Sequence, residues 1–155
     1  MYQKILVPID GSATAARGLQ EAIKLAKLTG ARLRLVHVVD SISFAAGMEA
    51  SMMVTNEMLG LMRESGEKLL AKTRARVEKA GVRVDTVLAD SLAGRVCDIV
   101  VAQADAWHAG LIVIGTHGRR GVGRMLLGSD AEMITRLSKV PVLLVRASDK
   151  TPAAD

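Results

Sequence analysis

Apolar positions along the 155-residue chain switch repeatedly between short continuous runs and helical spacing. That alternation marks βα units wound around a parallel sheet, whose strands are buried on both faces and read as unbroken apolar runs. Lys4 to Ile9 reads as the first strand. Ala16, Leu19, Ile23 and Ala26 then recur at helical spacing up to Gly30, a glycine stop. Arg32 to Val39 is the second strand. After an irregular stretch, Met58, Met62, Leu69, Thr73, Val77 and Ala80 line one side of a long helix that Gly81 ends, with Glu64–Lys68 and Arg74–Glu78 paired on its wet surface. Arg83 to Ala89 gives a third strand, Gly94 to about Ala106 a third helix, and Leu111 to Ile114 a fourth strand. Ser129 to Leu137 gives a fourth helix and Val142 to Val145 a fifth strand.

This element order places the chain in the α/β class. Right-handed crossovers and burial on both faces leave few ways to arrange five parallel strands, and the common order, 3-2-1-4-5, sets strands one and four side by side. The expected fold is an open twisted sheet with helices on both faces. Its ligand crevice then opens between the loops that follow strands one and four, which begin with Asp10-Gly11-Ser12 and with Gly115-Thr116-His117-Gly118.

The second of these loops carries the densest chemistry. Five of the 14 glycines fall between Gly115 and Gly128, where they let the backbone approach an anion and present the next helix's first N–H groups to it. Two common phosphate patterns fail here. GxxxxGK[ST] fits Gly118 and Gly123 but then meets Arg124 and Met125, and GxGxxG from Gly121 ends on Leu126. Arg119, Arg120 and Arg124 would add charge-assisted bonds to phosphates, against the alternative of a solvated basic turn. Asp10 suits a ribose hydroxyl pair or a metal, against the alternative of an ordinary turn carboxylate, with Pro8 fixing the backbone just before it. Ser12 reads as the N-cap of the first helix, and Ser129-Asp130-Ala131-Glu132 matches the capping box S-x-x-E.

Composition removes several alternatives. No apolar run approaches the roughly 20 residues needed to cross a bilayer. The one cysteine, Cys97, cannot form an internal disulfide and reads as a small buried apolar residue, and no leader pattern precedes Lys4. Together these predict a cytoplasmic protein. Tyr2, Phe44 and Trp107 are the whole aromatic complement, so the formal charge of +5 has almost no stacking partners with which to bind nucleic acid. Five of the eight methionines, Met48, Met52, Met53, Met58 and Met62, cluster ahead of and within the long helix, where packing is the favoured reading over a partner surface. His37, His108 and His117 do not converge in this topology, so no metal site is expected from the protein alone, nor any set of catalytic residues.

The opening KILVPIDGS, the second-strand ending VHVVD and the loop GTHGRRGVGRMLLGS running to KVPVLLV resemble the universal stress protein family, with its G-x2-G-x9-G-[ST] nucleotide loop intact. The resemblance spans Met1 to Arg146, one domain, with a tail from residue 147 to 155 expected to be mobile. It implies a Rossmann-like domain, a homodimer pairing through Val142 to Val145, and ATP as ligand, with or without Mg on its phosphates. Carried over residue by residue, Pro8, Ile9 and Val38 flank the adenine, Asp10 meets the ribose, and Gly115, Gly118, Gly128 and Ser129 hold ribose and phosphates; His117 and Arg119, read from the loop itself, are placed to touch a phosphate, against the alternative that they are solvated. The reading is a nucleotide-dependent regulatory protein of the stress response whose state a protein partner senses. The alternatives are a slow ATPase or phosphotransferase, or an interaction module with a vestigial site.

Overall fold

The computed structural model describes residues 2–41, 55–91, 94–116 and 127–146. Its elements are β1 (Lys4–Pro8), α1 (Ala13–Thr29), β2 (Arg32–Val39), α2 (Asn56–Lys79), β3 (Val84–Asp90), α3 (Val96–Trp107), β4 (Leu111–Gly115), α4 (Ser129–Leu137) and β5 (Val142–Val145). The five strands form one parallel sheet in the order β3-β2-β1-β4-β5, as the pattern predicts.

Each strand feeds both faces because its successive side chains alternate. Ile5, Val7, Leu33, Leu35, Leu111 and Val113 point to one side, against Leu19, Ala22 and Ala26 of α1 and Leu70 and Val77 of α2. Leu6, Val36, Ile112 and Ile114 point to the other, against Cys97, Val100, Ala104 and Trp107 of α3 and Ala131 and Ile134 of α4. Two apolar layers therefore sandwich the sheet. Each fully buried aliphatic contributes roughly 1.5–3 kcal/mol by leaving water.

The helices differ in detail from the pattern. In α1 the buried residues include Ala15, Gly18 and Leu19, while Ala16 faces solvent. Gly18 is what shifts the stripe, because it lets α1 cross close over the end of β4. A Cβ there would lie 3.3 Å from the Gly115 nitrogen. In α2 the buried line is Gly66, Leu70, Thr73 and Val77, with Met58, Met62 and Leu69 only half-buried and Ala80 standing at the C-cap. Apolar periodicity alone does not count a glycine as a contact. Helix α3 begins at Val96 rather than Gly94, whose φ of +147° lies outside the helical region. The ion pairs read from spacing, Lys68–Glu64 at 2.6 Å and Arg74–Glu78 at 2.8 Å, are both formed. Met48, Met52, Met53 and the tail 147–155 lie outside the described residues.

Gly115, the last residue of β4, meets α1 most tightly of all. A Cβ on it would sit 2.7 Å from the carbonyl carbon and 2.8 Å from the carbonyl oxygen of Thr14, backbone atoms that cannot swing aside. Gly115→Ala should therefore push α1 off β4 and cost about 1–3 kcal/mol. For a chain of this length the melting temperature should fall by roughly 2–12 °C, and a calorimetric scan showing no fall would mean that α1 is free to move.

Candidate functional site

Strands β1 and β4 are neighbours in the sheet, so the loops that follow them leave from adjacent points of its carboxyl edge. The β1 loop is built by local hydrogen bonds. Ile9 donates its N–H to the Val36 carbonyl at 2.8 Å and receives the His37 Nδ1 at its own carbonyl at 2.7 Å. Gly11 then takes φ +81°, a left-handed turn in which a side chain would be strained. The turn brings the Ser12 N–H to the Asp10 Oδ1 at 2.9 Å and places the Ser12 hydroxyl to accept from the Ala15 N–H at 3.1 Å. Ser12 is thus the predicted N-cap, and Asp10 is held half-buried at the mouth of the crevice.

On the β4 side, Thr116 donates its N–H to Val145 at 2.9 Å and accepts the Gly128 N–H at 2.8 Å. The backbone of the phosphate-type loop therefore leaves and returns at one point beside Asp10's loop. His117, Gly118 and Arg119, with Arg120 and Arg124, lie outside the described residues. Gly128 corrects the capping-box reading of Ser129. It is Gly128 that occupies the N-cap, with φ −61° and ψ 145°, and its carbonyl accepts the Glu132 N–H at 2.9 Å. Ser129 is the first helical residue, and no side chain caps α4. The helix starts at Ser129 as the sequence pattern predicts, but its cap is Gly128, tied by its N–H to Thr116.

Of the residues expected around a base, Pro8 is half-buried at the end of β1 and Ile9 is 5% exposed, its side chain packed into the α1/α2 core. Val38 packs against the opposite core. The side chains of Ile9 and Val38 thus lie on opposite faces of the sheet.

Sequence reasoning missed a further cluster at the same edge. Arg63 of α2 donates from Nε and Nη2 to the Asp90 Oδ2 at 3.2 and 2.8 Å, while the Ser41 hydroxyl donates to the Asp90 Oδ1 at 3.3 Å and lies 3.2 Å from that of Ser91. These residues tie the ends of β2 and β3 to α2. The legible signal was an Asp-Ser pair at one strand end facing a serine at the next. Cys97 behaves as expected of a core residue: burial, with Asp98 second, pushes its thiol up, so it stays protonated near neutral pH. Among the described residues no three or more His, Cys, Asp or Glu side chains lie together as a metal site, and no helix is long and apolar enough to cross a membrane.

An open parallel sheet of order β3-β2-β1-β4-β5 with helices packed on both faces defines a doubly wound α/β protein of the Rossmann-like kind. The universal stress protein family matches residues 1–146, and the chain belongs to it. It is 34% identical over 151 residues to universal stress protein MJ0531 of Methanocaldococcus jannaschii, covering 97% of this chain and 85% of that one. Among solved structures, protein MJ0577 of the same organism superposes with a TM-score of 0.82 at 27% identity, over 97% of this chain and 99% of the other. A universal stress protein solved in complex with cAMP superposes with a TM-score of 0.67 at 25% identity, over 95% and 99%.

The two loop serines separate cleanly by experiment. Ser12→Ala removes the hydroxyl that caps α1 and should cost about 1 kcal/mol in denaturant unfolding. Ser129→Ala should cost less than about 0.5 kcal/mol, because Gly128 already caps α4. Equal losses in the two variants would restore Ser129 as a cap.

Proposed function

We propose that the protein binds ATP, with or without Mg on its phosphates, at the carboxyl edge of β1 and β4 and acts as a nucleotide-dependent regulator in the stress response. The observation that carries this is the convergence of two loops and two helix N-termini on one crevice. Helix α1 has no acidic side chain in its first turn, and the Gly128 N-cap of α4 makes no side-chain hydrogen bond, so each helix N-terminus offers N–H groups to an anion, opposed at α4 by Asp130 and Glu132. Asp10, fixed by its turn, grips the ribose. Gly115, Gly118, Gly128 and Ser129 hold ribose and phosphates, with His117 and Arg119 beside them, and Pro8, Ile9 and Val38 border the adenine. The relative solved with cAMP supports an adenine nucleotide as the ligand class. Occupancy is read by a cytoplasmic protein partner rather than spent in rapid turnover.

Assembly follows from the sheet's edges. The β4 residues Ile112 and Thr116 donate to the carbonyls of Pro141 and Val145 at 3.0 and 2.9 Å. In a parallel ladder the alternate residues, Val142 and Leu144, then turn their N–H and C=O groups to the open edge. That edge is apolar, with Leu143 38% and Leu137 40% exposed, and it suits pairing with a second copy into a homodimer.

At a hundredfold excess over its dissociation constant, ATP should add about 2.7 kcal/mol of stability and raise the melting temperature by roughly 5–11 °C, with ADP and AMP weaker. Asp10→Asn should lose most of that shift. An absent shift with millimolar ATP and magnesium would overturn the nucleotide reading.

Leu144→Pro tests the interface without touching the internal ladder, because the N–H it removes faces outward. Light scattering should show monomer in place of dimer. An unchanged dimer would put the interface elsewhere.

A further inference from the structure

The geometry points to His37 as the residue that positions the loop after β1, by locking Ile9 in place so that Asp10 and the Ser12 turn follow in a fixed conformation. This rests on the nucleotide reading above and adds to it a residue that acts through the backbone of Ile9.

The argument begins with the backbone of Ile9. Strand β1 ends at Pro8, yet Ile9 is gripped from β2 on both sides: its N–H donates to the Val36 carbonyl at 2.8 Å, and its carbonyl accepts from the His37 Nδ1 at 2.7 Å. A carbonyl oxygen can only accept, so Nδ1 carries the proton and the tautomer is settled. Buried backbone carbonyls without a partner are costly, and at this point the ordinary ladder has run out, leaving one imidazole to supply the donor. The residues that follow, Asp10, Gly11 and Ser12, are held by short local bonds that start from this fixed point.

The ring is itself held from the other side. Gly66 of α2 packs directly on it, so closely that a Cβ at position 66 would lie 2.6 Å from the His37 Cδ2, 3.1 Å from Nε2 and 2.8 Å from the Leu88 Cδ1. The Nδ1 edge of the imidazole faces Ile9 at the start of the β1 loop while its Cδ2 and Nε2 edge faces α2. A shift of α2 is thereby passed through one rigid ring to the residue that precedes Asp10. No carboxylate or cation is needed for this coupling. It is a contact and a hydrogen bond in series.

Three variants test it, with two readouts. His37→Leu fills the space and removes the donor, and should weaken ATP about tenfold, the size expected for one hydrogen bond lost at a site that must be preorganised. It should also speed amide exchange at Ile9 and Ser12 while leaving Leu6 and Leu35 in the strand cores protected. His37→Asn, whose Nδ2 can reach the same carbonyl, should restore most of both. Gly66→Ala keeps the donor but displaces the ring, and should weaken ATP several-fold even if His37→Leu fails to fold. The exchange readout requires no ligand. Faster exchange at Ile9 and Ser12 in a protein that binds no ATP would sink the nucleotide reading and keep His37 as the loop's anchor. Unchanged exchange and affinity in His37→Leu, or an asparagine variant no better than leucine, would make His37 a packing residue and overturn the inference.

Discussion

Everything at the carboxyl edge depends on how closely α1 can lie against β4. The contact is backbone on backbone: the Thr14 carbonyl occupies the space where a side chain of Gly115 would be, and Gly18 one turn later lets the helix run on over Ile114 and Gly115. Interiors packed at crystal density cannot absorb an extra methyl at such a point. Were α1 an ångström further out, its N-terminus and the Asp10 turn would no longer face the loop that leaves β4 at Thr116. Glycine in this loop is thus first a packing device.

Each helix that faces the crevice starts in its own way. Helix α1 spends the Ser12 hydroxyl on its own Ala15 N–H, whereas α4 begins on Gly128, which is tied by its N–H to Thr116 and offers no side chain to the helix. A helix leaves four N–H groups without intrahelical partners, and a capping side chain consumes one of them. The uncapped start therefore belongs to the helix that follows the glycine-rich loop. Acidic Asp130 and Glu132 in its first turn oppose an anion, which gives the arginines of that loop an electrostatic reason to be there.

The fold was legible because apolar runs and helical spacing report burial directly: strand order, both packed faces and Ser12 as a cap could all be read from residue types. The errors share one cause. Ala16, Met58 and Met62 are assigned by a periodicity, and the Ser129 cap by a motif, that treat glycine as blank, whereas Gly18 and Gly66 stand on the buried faces of their helices and Gly128 is the cap of α4. Distant pairings were equally hidden. Nothing local in the sequence says that Arg63 will reach Asp90, or that His37 will donate to Ile9, because those contacts exist only after the sheet has aligned strand ends far apart in the chain.

The two outer strands show how charge and its absence divide the molecule. Strand β3 carries Asp85 and Asp90. Asp85 is bound by Arg32 at 2.8 Å and Arg34 at 2.6 Å, and Asp90 by Arg63 at 2.8 Å. The Arg34 guanidinium also lies 4.6 Å from the centre of the Trp107 ring, with Lys4 and Arg32 close by at 5.5 and 5.8 Å, so much of the chain's positive charge at this end is engaged within the fold. Charged side chains on an outer strand discourage further pairing. Strand β5, Val-Leu-Leu-Val, carries none. The sheet therefore has one edge strand that carries paired charges and one that carries none. Since β5 pairs directly with β4, whose next residues begin the glycine-rich loop, a partner docked on β5 sits one strand away from the backbone that would hold the phosphates.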